Sequence, residues 1–195
     1  MARPRDPRRR TELLDAIIGH LTVHGVAGLS LRPLARALGQ STSVLTHHFA
    51  TKDDLIAAVL ARLDQRQRDR LQALPGWAEG RSLGAVIRAS WEWHLADDHL
   101  PLIRLLHEIE GLAAAGRLVG VYVPTTLGDR AEFVADALRA HGVPDEDARA
   151  HATLLNAAYA GLQLDYLTTG DSKRVESALD RLVELADTWT RPPRP

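Results

Sequence analysis

The sequence contains no cysteine, a single methionine and only 5% aromatic residues. Without cysteine there can be no disulfides, thiolate zinc sites or cysteine nucleophiles, and this composition is typical of cytoplasmic proteins. No apolar run approaches the roughly 18 residues of a membrane-spanning helix. The basic start MARPRDPRRR is not followed by the apolar stretch of a secretory signal. We therefore expect a cytoplasmic protein with no membrane partner.

Charge is distributed unevenly along the 195 residues, although the net charge is only −1. Residues 1–70 hold 12 Lys and Arg against 7 Asp and Glu, whereas residues 71–195 hold 12 against 18. A basic first third on an acidic remainder points to a polyanion bound at one end, although chance variation in surface charge explains it equally well.

Apolar residues recur with helical spacing along almost the whole chain, which predicts an all-α fold of about nine helices. Thr11 is the expected cap of a first helix that ends near His24, and Ser30, Ser41 and Thr51 are expected to cap the next three. Residues 116–124 are ambiguous between a kinked helix and a short extended segment, because Gly and Pro interrupt them.

The second and third predicted helices are joined by the short turn Gly39-Gln40-Ser41. Two short apolar-faced helices with a glycine turn form a helix-turn-helix, whose second helix enters the major groove of DNA. The residues expected to face base edges are Thr42, Ser43, Val44, Thr46 and His47. Phosphate contacts are expected from Arg32, from Lys52 at the start of the fourth helix, and from a flexible arm at residues 8–10. This spacing alone is a weak signal.

Residues 29–55, LSLRPLARALGQSTSVLTHHFATKDDL, resemble the DNA-binding domain of TetR-family regulators. Twelve positions match the family pattern: Ser30, Leu34, Ala35, Leu38, Gly39, Ser41, Ser43, Leu45, His48, Phe49, Lys52 and Leu55. Two positions depart from it. Gln40 replaces a usual valine, so a buried apolar contact is expected to become polar, and Thr46 replaces a tyrosine that commonly contacts phosphate.

The resemblance implies a DNA-binding head at residues 1–52 and a helical effector-binding and dimerisation body at residues 53–195. It implies a homodimer through the last two helices, a palindromic DNA operator and release by a small-molecule effector, most commonly as a repressor. An apolar stripe on the last helix fits such a dimer, and packing within a monomer is the alternative. AGLQLDYLTTGD (residues 160–171) looks like the betaine-responsive subgroup, which does not make betaine the ligand.

Aromatic and histidine side chains in the body are candidates for an effector pocket, because such pockets are mostly apolar with a few polar groups. The residues expected there are Trp91, His94, His107, Tyr122 and Tyr159. An ordinary helical core with interfacial aromatics explains each of them equally well.

Two histidines, His20 and His24, have helical metal-ligand spacing but lack an obvious third ligand, so we expect no metal site and no cofactor. No nucleophile elbow, phosphate loop or paired-carboxylate motif occurs, and we expect no enzyme. The alternative hypothesis is a small-molecule-binding or enzymatic helical protein whose DNA-binding head is vestigial. Salt-dependent DNA binding distinguishes the two hypotheses.

Overall fold

A computed structural model describes residues 7–75, 77, 82–118 and 122–190, without the side chains of residue 7 and residues 122–127. Within these ranges the chain forms nine helices and no strand, in agreement with the predicted all-α class. They are α1 (Pro7–His24), α2 (Leu31–Ala37), α3 (Thr42–His48), α4 (Lys52–Gln72), α5 (Leu83–His94), α6 (Leu100–Ala114), α7 (Tyr122–Ala140), α8 (Asp145–Thr169) and α9 (Ser172–Thr188).

Helix α1 begins four residues before the predicted cap, so the assignment of Thr11 as its N-cap is wrong. Proline is well tolerated at the first helical position, because its fixed φ is helical and its missing N–H would have no partner there. Residues 8–10 are consequently helical rather than a flexible arm, and the Arg10 guanidinium lies 5.6 Å from the centre of the Phe49 ring.

The other predicted helix starts are confirmed, with one difference. Ser41 Oγ accepts from Val44 N–H at 3.3 Å. Thr51 and Asp54 form a reciprocal capping box with two 3.0 Å bonds. Ser30 occupies the N-cap position of α2 but makes no side-chain cap bond. The ambiguous segment resolves in part, because α7 already begins at Tyr122, while residues 119–121 lie outside the described residues.

The chain divides into two compact units, and α4 passes from the first to the second between Gln65 and Arg66. The first unit comprises residues 1–65 and 101–124, so it contains α6 as well as the three short N-terminal helices. Its core combines aliphatic residues of α1, α4 and α6 with Leu45 of α3 and Phe49 just after it. The division at residue 52 that the sequence predicts stays a prediction, since the units follow packing rather than chain order.

The second unit comprises residues 66–100 and 125–195 and has its own apolar core. Helices α5 and α9 approach closely at Gly84, whose N–H donates to Asp187 Oδ1 at 2.8 Å. The predicted apolar stripe of α9 is buried in this core, and it comprises Val175, Leu179, Leu182, Val183 and Ala186. That stripe therefore packs within the chain's own core, and the choice between homodimer and monomer stays a prediction.

No described helix is long and apolar enough to cross a bilayer. Nor do the residues that the structure describes contain a group of three or more His, Cys, Asp or Glu side chains placed to hold a metal ion. His20 and His24 lie with ring centres 4.3 Å apart on α1.

Candidate functional site

Helix α3 is held to the first unit by its inner face, which leaves its outer face accessible. Leu45 and Phe49 are fully buried in the unit's core. Ser41 precedes α3 with an extended backbone, and its hydroxyl accepts a hydrogen bond from one of the first N–H groups of the helix. Position and orientation of α3 are thus fixed by packing and by its cap.

The predicted base-contacting residues lie on the N-terminal half and the outer side of α3. Ser43, Thr46 and His47 are exposed, while Thr42 and Val44 are half-buried. The Thr46 hydroxyl donates within its own helix, to the carbonyl oxygen of Thr42 at 3.1 Å or that of Ser43 at 3.3 Å. Its proton is therefore used internally, which leaves only its oxygen as an acceptor for an outside donor.

Two basic residues flank α3 where phosphate contacts are expected. Arg32 is exposed in the first turn of α2, and Lys52 is the first residue of α4. The capping box places Asp53 and Asp54 in the same turn as Lys52, so the local charge there is mixed. A bidentate ion pair between Arg62 and Asp15, at 2.8 and 3.0 Å, fixes α4 against α1.

Gln40 is exposed, so the expected replacement of a buried apolar contact by a polar one is wrong. It lines a cleft of about 210 Å³ in the first unit, where its amide remains accessible to water. The other residues of this cleft are Arg9, Glu12, Leu13, Ala16, Leu38, Val44 and His48.

Sequence reasoning missed Glu108, a residue of α6 that contacts the turn between α1 and α2. Its Oε1 accepts from Val26 N–H at 2.9 Å and from Ala27 N–H at 3.0 Å. Gly25, with φ of +69°, allows this approach, because a Cβ there would lie 2.9 Å from Glu108 Oε2. The glycine at the end of the first helix was visible in the sequence, but nothing local pointed to a partner 82 residues away.

Three of the predicted effector residues lie together in the second unit. Tyr159 Oη is 3.0 Å from His94 Nδ1 and donates to Ser90 Oγ at 3.2 Å. The Trp91 ring meets the Tyr159 ring edge-on at 5.2 Å. We call these four residues, Ser90, Trp91, His94 and Tyr159, the body cluster.

His94 is the most buried polar residue of the body cluster, with 1% of its surface exposed. Its Nδ1 lies 2.7 Å from the Ser90 carbonyl oxygen, which can only accept. Burial lowers the pKa of His94 to about 4, against the opposing effect of the bond to Ser90. Burial likewise raises the pKa of the Tyr159 phenol. Both side chains are consequently neutral at pH 7.

The two remaining predicted effector residues belong to the first unit. His107 is half-buried on α6, with Nδ1 4.0 Å from Glu110 Oε2. Tyr122 begins α7, and its side chain lies outside the described residues. Their participation in a pocket stays a prediction.

The N-terminal part of the chain matches a known family. The family described as bacterial regulatory proteins, tetR family, matches residues 13–59. The HTH-type transcriptional regulator BetI of Klebsiella pneumoniae (strain 342) is 29% identical over 90 residues, which cover 44% of this chain and 46% of that protein. BetI of Escherichia coli O127:H6 is 30% identical over 88 residues, covering 43% and 45%. The chain thus spans less than half the length of these curated relatives.

Solved structures match over nearly the whole length. The multidrug binding protein EbrR, complexed with imidazole, is 31% identical with a TM-score of 0.74, covering 100% of this chain and 96% of that one. Its complex with ethidium, at 28% identity, has a TM-score of 0.68 and covers 91% and 98%. A transcriptional regulator from Rhodococcus sp. Rha1 shares the fold, at 23% identity and a TM-score of 0.75, covering 96% and 100%. With a helix-turn-helix in the matched segment and this likeness over its full length, the chain belongs to the TetR family of bacterial regulatory proteins.

Proposed function

We propose that this protein is a transcriptional repressor that binds a palindromic operator as a homodimer and is released by a small-molecule effector. The observation that carries the proposal is the helix-turn-helix, with α3 held by Leu45 and Phe49 and its polar outer side accessible. The proposal also rests on family membership, since the matched relatives are transcriptional regulators rather than enzymes.

In the proposed complex α3 lies in the major groove. Thr42, Ser43 and His47 offer hydroxyl and imidazole groups to base edges, and Val44 suits a thymine methyl group. Lys52 and Arg32 contact phosphates and fix the register without reading sequence. Two heads of a homodimer would then occupy half-sites about one turn, roughly 34–36 Å, apart.

The homodimer is proposed to form through the outer surface of α8 and α9. The inner stripe of α9 is already buried, but Leu154, Leu164 and Leu185 are 48%, 50% and 44% exposed. Large exposed aliphatic side chains on neighbouring helices are typical of an interface. Leu164→Glu is expected to give a monomer in sedimentation experiments, with Leu13→Ala in the first unit as a control that stays dimeric. A dimer that survives Leu164→Glu would place the interface elsewhere.

The effector is proposed to bind in the body near the body cluster. Buried aromatic rings with a few polar atoms are typical of a small-molecule site. EbrR, which is similar in fold and sequence, is described in complex with imidazole and with ethidium. We therefore propose an aromatic effector.

Glu108 is proposed to carry the effector signal to the head, because it joins α6 to the turn between α1 and α2. A ligand shifts the head only if it binds more tightly to the arrangement that does not bind DNA. Glu108→Gln is expected to reduce the effect of a body ligand on operator affinity while leaving the ligand affinity of the DNA-free protein unchanged. If the ligand lowers the operator affinity of this variant as much as that of the unmodified protein, the signal does not pass through Glu108.

Selection of binding sites from a random duplex pool tests the DNA-binding proposal. We expect a palindromic consensus, and affinity for it, measured by fluorescence anisotropy at two salt concentrations, should fall steeply as salt rises. The internal bonding of the Thr46 hydroxyl favours the alternative of a vestigial head. Absent or salt-insensitive binding would favour that alternative and would direct attention to ligands of the body.

A further inference from the structure

We infer that the body site takes a neutral, planar aromatic ligand whose N–H or O–H donates a hydrogen bond to His94 Nε2. This inference rests on the proposed effector site, and it specifies the chemistry of the effector. It follows from the tautomer of His94, the burial of Nε2, and the rings and charge around the imidazole.

The hydrogen bonding of His94 fixes which ring nitrogen carries the proton. A carbonyl oxygen has no proton to donate, so the 2.7 Å contact between Nδ1 and the Ser90 carbonyl requires a proton on Nδ1. Because the pKa of His94 is depressed to about 4, the ring is neutral and holds only that proton. Nε2 therefore presents a lone pair and accepts hydrogen bonds.

Nε2 is buried and has no hydrogen-bond partner among the described residues. A buried acceptor without a donor is unfavourable, so a ligand that supplies an N–H or O–H gains more than it would from a solvated acceptor. The opposite side of the same ring is bound to Ser90 and close to Tyr159, so the imidazole cannot turn without losing those contacts.

The surroundings of His94 favour a flat and uncharged ligand. The Trp93 ring meets the His94 ring edge-on at 4.7 Å, and the Tyr159 ring does so at 5.5 Å. Aromatic rings pack well against such faces and edges. Because His94 is buried, a charged ligand would have to lose its hydration there, which disfavours a cation. Burial is also the main cause of the lowered pKa of His94, and the charge of Arg130 is a smaller one that acts in the same direction.

A matched pair of probes tests the inference on the full-length protein by isothermal titration calorimetry. Indole carries an N–H, whereas N-methylindole has nearly the same shape and cannot donate. We expect indole to bind about tenfold more tightly or better, because a site with a buried hydrogen-bonding group rejects an analogue that lacks the partner. Equal affinities, or binding of neither compound, would overturn the inference.

Two variants assign the preference to His94. His94→Phe keeps a ring but removes the acceptor, and indole should then bind no better than N-methylindole. His94→Gln keeps an acceptor at a similar distance from the backbone and should retain a preference for indole, with circular dichroism verifying that both variants fold. A preference for indole that persists in His94→Phe would show that another group accepts the bond.

The nitrogen-15 resonances of His94 give a test that needs no variant. We expect the pattern of a neutral ring with the proton on Nδ1, and a shift of the Nε2 resonance when indole binds but not when N-methylindole binds. A proton on Nε2 would contradict the inference. An Nε2 resonance that indole leaves unchanged would contradict it as well, since the site would then hold no more than a buried water. A different outcome separates the two proposals. If ethidium binds and lowers the affinity for DNA while indole does not bind, the proposed effector site is retained and only the inference of a neutral hydrogen-bond donor is overturned.

Discussion

Replacing Glu108 removes the acceptor shared by two backbone N–H groups in the turn between α1 and α2. A hydrogen bond to a charged group contributes about 1.5–3 kcal/mol. The bond to Val26 is partly buried, whereas water can replace the exposed bond to Ala27 at little cost. Glu108→Ala should therefore lower the free energy of unfolding by about 2 kcal/mol. Glu108→Gln should lower it by about 1 kcal/mol, because its amide oxygen still accepts.

A double-mutant cycle with Gly25 shows whether the carboxylate is the cause. Gly25→Ala strains a left-handed backbone by about 1–2 kcal/mol, and its methyl group would also displace the carboxylate, which lies within 3 Å of it. In the Glu108→Ala background only the strain remains. The combined loss should thus be smaller than the sum of the single losses by about 2 kcal/mol.

Urea unfolding followed by circular dichroism measures these values, at one fixed protein concentration because the proposed dimer would make stability depend on concentration. Glu92→Gln, an exposed charge removal on α5, is the matched control and should change stability by less than about 0.5 kcal/mol. Additivity of Gly25→Ala and Glu108→Ala within about 0.5 kcal/mol would refute the reasoning, since it would show that the two positions do not interact.

Further predictions concern DNA contacts, close packing and pH. Lys52→Ala should weaken binding to all DNA alike and lower the salt slope by about one, whereas Thr42→Ala should change sequence preference; equal effects of both on every sequence would contradict the role of Thr42. Gly84→Ala should cost about 1–3 kcal/mol of stability in urea unfolding, because its Cβ would lie 2.5 Å from Val183 Cγ1. Gly111→Ala, with open space around its Cβ, is the control and should not destabilise. The pKa of His94 is about 4 when folded against an ordinary 6.5, so the unfolded chain takes up the proton first. His94 should therefore contribute on the order of 3 kcal/mol to the free energy of unfolding above about pH 6.5, and this contribution should be lost as the pH falls to about 4. His94→Phe should flatten that part of the pH dependence of the free energy of unfolding.

The helices could be predicted from the sequence because their signals are local. Ser41 and Thr51 cap helices in both the prediction and the structure, since a cap depends on the three residues that follow it. Thr11 failed for a local reason too, because Pro7 serves as a helix start and competes with it. Helical spacing also identified the buried stripe of α9 but could not say which partner buries it.

The candidate site likewise contains residues that local sequence signals identify and contacts that only the fold brings together. The order of residues in the helix-turn-helix places Thr42 to His47 on one short helix, so sequence reasoning reached them directly. It also named Trp91, His94 and Tyr159 together, but the bonds between them join α5 to α8 and need the fold. Glu108 has an unremarkable helical sequence around it, and only packing brings it to Val26.

The partly buried bond of Glu108 also bears on how a signal could reach the head. If α6 moved away by about 1 Å, Val26 N–H would lose its acceptor in a place that water reaches poorly, which would be unfavourable. An element with two favourable arrangements and few between them responds to a ligand by switching rather than by gradual deformation. A carboxylate suits this role better than an amide, because its stronger bonds separate the two arrangements more sharply. We therefore expect Glu108→Gln to make the response of DNA affinity to effector smaller.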